Sequence, residues 1–177
     1  MDHADHLSLL RAAVEAGGTW ADIGAGTGEF TLALADLLGP GGRIVAVDRD
    51  AGALAENAGA VAARFPQVAL EAVVADFTKA LDLPLLDGLV AANSLHFVGR
   101  DRQVEVIRGL AGHLRSGGRF VVVEYDADQG NPWVPYPFSQ MNWGLLAASA
   151  GLVDPRPLHR VPSRFLGAIY SAIATRP

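Results

Sequence analysis

The sequence predicts an α/β fold in which a doubly wound, mostly parallel sheet carries helices on both faces. Short runs rich in Val, Ile and Ala alternate with segments of helical spacing, and this alternation is typical of parallel strands joined by right-handed crossovers. The strand-like runs are solidly apolar, which indicates burial on both faces. A chain of 177 residues is long enough for one sizeable core, so we expect residues 1–177 to form a single, near-minimal domain.

Five segments have apolar residues at every third or fourth position, which predicts helices. The segment 29–38, for example, is apolar along one face and ends before Gly39-Pro40, a pair that stops a helix. In the same way Asp50 is a good N-cap for the alanine-rich segment that follows it. The predicted helices are residues 7–14, 29–38, 50–64, 101–114 and 143–150.

Apolar runs bounded by Gly, Pro or Asp predict the strands. They are residues 20–23, 43–47, 69–74, 88–92, 119–124, 156–161 and 166–175. The first strand is expected beside the fourth, at the point where a doubly wound sheet reverses its strand order. The last two strands are expected to form a hairpin at the sheet edge.

Composition restricts the classes of function. The formal net charge is −5 and Lys79 is the one lysine, which opposes binding to a nucleic-acid polyanion. The chain has no cysteine, so disulfides, thiolate metal sites and a thiol nucleophile are excluded. His3 and His6 are expected in a frayed terminus, and no metal site is predicted. No leader segment or membrane-length apolar run is visible, so we expect a cytoplasmic protein without membrane contact.

A glycine-rich turn follows the first strand, with the pattern Asp-x-Gly-x-Gly-x-Gly at residues 22–28. Glycine lets the backbone turn sharply and lie close to a ligand. A dinucleotide fingerprint, G-x-G-x-x-G, would need a glycine at position 29, where the chain has Glu29. A carboxylate there would repel phosphates, so the turn favours a nucleoside-type cofactor without a pyrophosphate.

This turn resembles the first motif of the class I methyltransferases that use S-adenosylmethionine. Four later segments resemble further motifs of that family, in the same order. They are Val47-Asp48, residues 75–77, residues 87–96 and residues 114–120. The resemblance covers roughly residues 15–125, and it implies a Rossmann-like sheet with an antiparallel last strand and S-adenosylmethionine as the cofactor.

The resemblance also implies nine cofactor-binding residues. They are Asp22, Gly24, Ala25, Gly26, Asp48, Arg49, Asp76, Phe77 and Asn93. Asp22 would hold the amino group of the cofactor, and the two oxygens of Asp48 match the ribose hydroxyls. Asp76 would accept from the adenine amine, while Phe77 and Arg49 would flank the ring. Bracing of the loop by Asp22 and helix capping by Asp48 remain alternatives.

Candidate catalytic residues follow the fourth and fifth strands. His96 is a candidate general base, with packing as its alternative role, and Tyr125 is the second catalytic candidate. Glu124 lies beside Tyr125 and is a candidate pocket residue. The fourth-strand segment reads Asn93-Ser94-Leu95-His96, not the N-P-P-Y of enzymes that methylate nucleobase amines, so DNA is not expected as a substrate.

We therefore expect an enzyme that transfers a methyl group to a small-molecule acceptor. One alternative is a module or non-catalytic subunit that binds S-adenosylmethionine without transfer, and another is a methyltransferase that acts on RNA or protein with a partner. Residues 126–142, with Trp133, Tyr136 and Phe138, form a candidate lid over the acceptor, or else close the apolar edge of the sheet. The oligomeric state stays open, with a homodimer as one possibility.

Overall fold

A seven-stranded sheet forms the centre of the computed structural model, which describes residues 1–177. The strands are β1 (Thr19–Ile23), β2 (Arg43–Asp48), β3 (Ala69–Val74), β4 (Leu86–Ala92), β5 (Leu114–Tyr125), β6 (Val153–Ser163) and β7 (Gly167–Thr175). The helices are α1 (His3–Leu10), α2 (Glu29–Leu38), α3 (Ala51–Arg64), α4 (Arg100–Ala111) and α5 (Gln140–Ser149). A short 3₁₀ turn spans Leu95–Phe97.

The strand order is β3-β2-β1-β4-β5-β7-β6. Strands β1 to β5 pair in parallel, and β7 pairs antiparallel with both β5 and β6. The predicted fold class is therefore confirmed, including the antiparallel end of the sheet. Because β1 lies between β2 and β4, the order reverses there, and the carboxyl ends of these strands border the crevice in which such sheets bind ligands.

Each face of the sheet carries its own apolar core. Adjacent residues of β2, Ile44 and Val45, belong to opposite cores, as the alternating direction of side chains in a strand requires. On one face Phe120 packs against Trp143 of α5, with ring centroids 5.5 Å apart. Strand β3 departs from the expected burial on both faces: most of its side chains are exposed, because it is an edge strand.

The first helix begins earlier than the sequence pattern predicts. Asp2 and Asp5 form a capping box, in which each side chain accepts a hydrogen bond from the backbone N–H of the other. This cap satisfies N–H groups that otherwise lack partners at a helix start, so the expectation of a frayed terminus is wrong. His6 is buried, and its ring centroid lies 4.6 Å from that of Phe30 in α2.

Strand β5 begins at Leu114, five residues before the predicted start, because Leu114 pairs with Leu86 across an irregular step in the ladder. The predicted α4 accordingly ends early, at Ala111. No helix of the protein combines the length and the apolar character that crossing a membrane requires.

Candidate functional site

Three glycines shape the turn between β1 and α2. Gly24, Gly26 and Gly28 have φ values of 75°, 51° and 102°, a region that residues with a side chain rarely adopt. A Cβ at Gly24 would lie 2.5 Å from the Cβ of Ser94, whereas a Cβ at Gly26 would meet no atom within 4 Å. The missing side chain of Gly24 therefore lets Ser94 pack against the turn, whereas that of Gly26 leaves open space.

Most N–H groups of this turn already have partners. Those of Gly24 and Ala25 donate to the carbonyl of Val47, at 2.8 and 3.0 Å. The N–H of Gly26 donates to Oδ2 of Asp48 at 2.8 Å. Asp48 therefore braces the glycine turn from the end of β2, a role that the sequence suggested for Asp22.

The second oxygen of Asp48 accepts from the N–H of Asp50 at 3.0 Å. Asp50 itself caps α3, accepting from the N–H groups of Gly52 and Ala53. Because Asp50 supplies the helix cap, Asp48 does not have that role. Each carboxylate oxygen of Asp48 keeps a further lone pair, so the side chain can still accept from a ligand.

Asp22 lies at the end of β1 and is 1% exposed. Its Oδ2 accepts from the hydroxyl of Thr31 at 2.6 Å, and that hydroxyl accepts in turn from Nδ2 of Asn57 at 2.8 Å. Burial, reinforced by the negative charges of Asp48 and Glu29, raises the pKa of Asp22 to about 7. At neutral pH this carboxyl is therefore only partly ionised until a cation comes close to it.

The first of two cavities at this edge of the sheet has a volume of about 400 Å³. Its lining includes six of the predicted cofactor-binding residues, from four different strand ends or loops. They are Gly24, Asp48, Arg49, Asp76, Phe77 and Asn93. Asp76 accepts from the N–H and the hydroxyl of Thr78, and these hydrogen bonds lower its pKa, so it is an ionised acceptor at neutral pH.

The second cavity, of about 350 Å³, lies on the other side of the glycine turn. It is lined by Asp22, Gly24, Ala25, Gly26 and Asn93 among others. Gly24 and Asn93 line both cavities, so the two spaces adjoin there. Together they contact all nine residues that the sequence predicted to bind the cofactor, and each individual role stays a prediction.

Two polar atoms at this junction have no partner. Asn93 has a left-handed backbone, with φ of 49°, and its buried Oδ1 accepts no hydrogen bond in the protein. The buried hydroxyl of Ser94 is also unpaired. Buried polar atoms are normally satisfied, so these two, together with the open space at Gly26, fit a polar ligand that passes along the turn.

His96 and Glu124 form a buried pair beyond the first cavity. Nδ1 of His96 lies 2.9 and 3.0 Å from the two carboxylate oxygens of Glu124, and the residues are 3% and 0% exposed. The N–H of Tyr125 donates to the same carboxylate at 2.8 Å. His96 and Tyr125, the two predicted catalytic residues, have ring centroids 5.9 Å apart, and neither lines the two cavities.

The segment 126–142 is held against the body of the protein. The N–H of Tyr136 donates to the carbonyl of His96 at 2.9 Å. Phe138 is buried and stacks on Trp143, with centroids 6.2 Å apart, so it closes the apolar edge of the sheet. Trp133 and Tyr136 are 73% and 42% exposed, and these two aromatic rings can contact a ligand.

Sequence reasoning missed three residues of the site. Thr31 of α2 donates to Asp22, Asn57 of α3 donates to Thr31, and His6 of α1 lines the second cavity. A polar residue on the apolar face of an alanine-rich helix was the available signal for Asn57. Nothing in the local pattern pointed to His6.

Comparison with known proteins gives the family. A family model described as a methyltransferase domain matches residues 21–120, more than half of the chain. Among curated proteins, a segment of 44 residues is 48% identical to the probable cobalt-precorrin-6B C(15)-methyltransferase (decarboxylating) of Thermoplasma volcanium. That segment is 25% of this chain and spans only 22% of the relative.

Solved structures of similar fold cover nearly the whole chain. The 1,6-didemethyltoxoflavin-N1-methyltransferase of Burkholderia thailandensis, solved with 1,6-didemethyltoxoflavin and S-adenosylhomocysteine, has a TM-score of 0.76 at 20% identity, covering 98% of this chain and 77% of that one. The N-methyltransferase NodS of Bradyrhizobium japonicum, in complex with S-adenosylhomocysteine, has a TM-score of 0.74 at 19% identity, covering 99% and 85%. A methyltransferase of Aquifex aeolicus described as SAM dependent has a TM-score of 0.73 at 18% identity, covering 100% of both chains.

At these identities the structural likeness establishes the fold, and the family model establishes the membership. The matched residues run from β1 into β5 and include the glycine turn and the ends of β2, β3 and β4. The chain belongs to the methyltransferase domain family.

Proposed function

We propose that this protein transfers a methyl group from S-adenosylmethionine to a small-molecule acceptor. One observation carries the proposal: two cavities adjoin at Gly24 and Asn93 and between them contact all nine predicted cofactor-binding residues. The residues of the first cavity would then hold the nucleoside, and those of the second cavity would hold the amino-acid tail.

The first cavity offers the groups that an adenosine needs. Asp48 presents acceptors for the ribose hydroxyls, each oxygen using a lone pair that the backbone leaves free. Ionised Asp76 accepts from the adenine amine. Phe77 and Arg49 line the same cavity, and an aromatic ring and a guanidinium can each pack on a base.

The second cavity offers acceptors for the ammonium group of the tail. Asp22 and Asn93 both line it, and Oδ1 of Asn93 has no partner within the protein. An ammonium group placed there stabilises the ionised form of Asp22, which burial otherwise disfavours. The open space at Gly26 leaves room for the chain of the tail.

A small, partly apolar acceptor fits the groups beyond the sulfur. Phe97 lines the first cavity and is 63% exposed, and Trp133 and Tyr136 present further aromatic surface from the segment 126–142. We propose that this segment covers the acceptor as a lid. The net charge of −5 disfavours RNA as the acceptor, and the methyltransferase of Burkholderia thailandensis was solved with the small molecule 1,6-didemethyltoxoflavin bound.

The cofactor supplies a methyl group already activated on a sulfonium, so the protein has to orient the acceptor and exclude water. For a hydroxyl acceptor we propose His96 as the general base. Glu124 accepts from the Nδ1–H of His96, which leaves Nε2 to take the proton and stabilises the resulting imidazolium. A buried carboxylate is costly unless it is paired, so Glu124 also fixes the position of the His96 ring.

The test is transfer of a methyl label from S-adenosylmethionine to an extract of the source organism separated into small molecules, RNA and protein. We expect label in the small-molecule fraction. Label in the RNA or protein fraction would show that the acceptor is a macromolecule and not a small molecule. Binding of S-adenosylhomocysteine without any transfer would support a binding module. A His96→Gln variant should retain binding by calorimetry but lose transfer, which separates catalysis from cofactor recognition.

A further inference from the structure

The second cavity has one wall that lies outside the matched family segment. Met1 and His6 from the α1 region line it together with the glycine turn. His6 is 7% exposed and packs at 4.6 Å, centroid to centroid, on Phe30, which lies in the first turn of α2. This contact fixes the imidazole beside the first turn of α2, where the glycine turn ends.

The other charged side chains of the cavity are acids. Asp22 and Glu29 are carboxylates, and the free atom of Asn93 is its oxygen. The hydroxyl of Thr27 is directed to Glu29, at 3.2 and 3.3 Å from its two oxygens. These groups suit the ammonium end of an amino acid, but they offer little to its carboxylate, which needs a donor.

The backbone of the turn supplies few donors either. The N–H groups of Gly24, Ala25, Gly26 and Gly28 all donate to acceptors within the protein. The remaining N–H groups belong to Thr27 and the first turn of α2, where Glu29 places a negative charge. By contrast, the imidazole of His6 makes none of the side-chain hydrogen bonds of α1, which involve His3, Asp5 and Ser8.

We propose that His6 binds the α-carboxylate of the cofactor's amino-acid tail by donating an imidazole N–H, so that α1 is part of the cofactor site. The inference rests on the proposed function and assigns a further residue to that site. Burial lowers the pKa of His6, with Glu29 opposing it and the amino group of Met1 adding to it. Because a neutral imidazole keeps one N–H, the role does not depend on protonation.

The test is a cycle of two proteins and two ligands measured by calorimetry. The ligands are S-adenosylhomocysteine and its decarboxylated analogue, S-adenosyl-3-thiopropylamine, which keeps the ammonium group and lacks only the carboxylate. His6→Phe keeps a ring against Phe30 and removes the donor. We expect this change to weaken S-adenosylhomocysteine about ten-fold or more, the usual size for a hydrogen bond to a charged group, and to change the affinity for the analogue less than two-fold.

Each result decides the matter. If His6→Phe weakens the binding of both ligands equally, His6 does not bind the carboxylate. If it weakens the binding of neither, the role of His6 is overturned and the carboxylate is bound by the Met1 amino group or by the backbone. Failure of the wild-type protein to bind either ligand overturns the proposed function and this inference with it. His6→Gln, which restores a donor, should recover part of the affinity for S-adenosylhomocysteine alone. If His6→Phe does not fold, His6→Leu serves the same comparison.

Discussion

Replacing Asp22 with asparagine should stabilise the cofactor-free protein at neutral and alkaline pH. The carboxyl is 1% exposed, and burial raises its pKa from 3.8 to about 7. At about 1.4 kcal/mol for each pKa unit, that difference corresponds to about 4 kcal/mol. Asparagine is neutral, and its oxygen can accept the hydroxyl of Thr31 as Asp22 does, so Asp22→Asn removes the cost of the charge and keeps the hydrogen bond.

The direction of this pH effect on stability follows from the pH at which Asp22 loses its proton. In the unfolded chain Asp22 releases its proton near its ordinary pKa, whereas in the folded protein it holds the proton up to about pH 7. The folded state therefore binds more protons between these two values, and the contribution of Asp22 to the free energy of unfolding falls as pH rises through that window. Below the ordinary pKa of aspartate this contribution is zero, and above about pH 7 it is a constant penalty.

Urea unfolding at a series of pH values from about 4 to 8, without cofactor, measures the effect. The difference in unfolding free energy between Asp22→Asn and the wild type should be small at the acid end and rise toward about 4 kcal/mol at the alkaline end. The same substitution at the exposed Asp82 should change stability by less than about 0.5 kcal/mol at every pH. Calorimetry should show weaker binding of S-adenosylhomocysteine by Asp22→Asn, since the ammonium loses its carboxylate.

A difference between Asp22→Asn and wild type that does not change with pH would refute the reasoning. It would mean that Asp22 titrates alike in the folded and unfolded chain, so that desolvation does not dominate at this position. If Asp22→Asn is more stable than wild type and binds S-adenosylhomocysteine as tightly, Asp22 does not contribute to cofactor binding, although the effect of its burial on stability is upheld.

The remaining predictions concern the turn and the ribose site. Gly24→Ala should lower the free energy of unfolding by about 2 kcal/mol or more, because the added Cβ would lie 2.5 Å from that of Ser94. Gly26→Ala, with open space around it, should lower it by only about 1 kcal/mol, through backbone strain. Urea unfolding of both variants shows whether Gly24→Ala is the more destabilising. Asp48→Ala should weaken S-adenosylhomocysteine by about 1–3 kcal/mol in calorimetry, and an unchanged affinity would remove Asp48 from the ribose site.

Local signals account for the parts of the fold that sequence reasoning predicted well. Helix α2 has the predicted bounds, residues 29–38, because a glycine turn begins it and Gly39-Pro40 ends it within the same short stretch. Strand β3 likewise has its predicted bounds. Strand β5 does not, since Leu114 pairs with Leu86 of β4, and Gly117 and Gly118 form backbone hydrogen bonds with Arg176. A ladder partner far along the chain leaves no mark on the local pattern.

By itself the sequence predicted the strand–turn–helix motif, the place of the first strand beside the fourth and the edge at which the nine predicted cofactor-binding residues meet. Each of these follows from residues that are neighbours in the chain, or from the rule that parallel strands share one carboxyl edge. Tertiary structure alone decided that Asp22 accepts from Thr31, which accepts from Asn57, that His96 contacts Glu124, and that His6 lines the second cavity. Periodicity reports which face of its own element a residue occupies, whereas packing between elements decides which side chains meet and which charges lose their water.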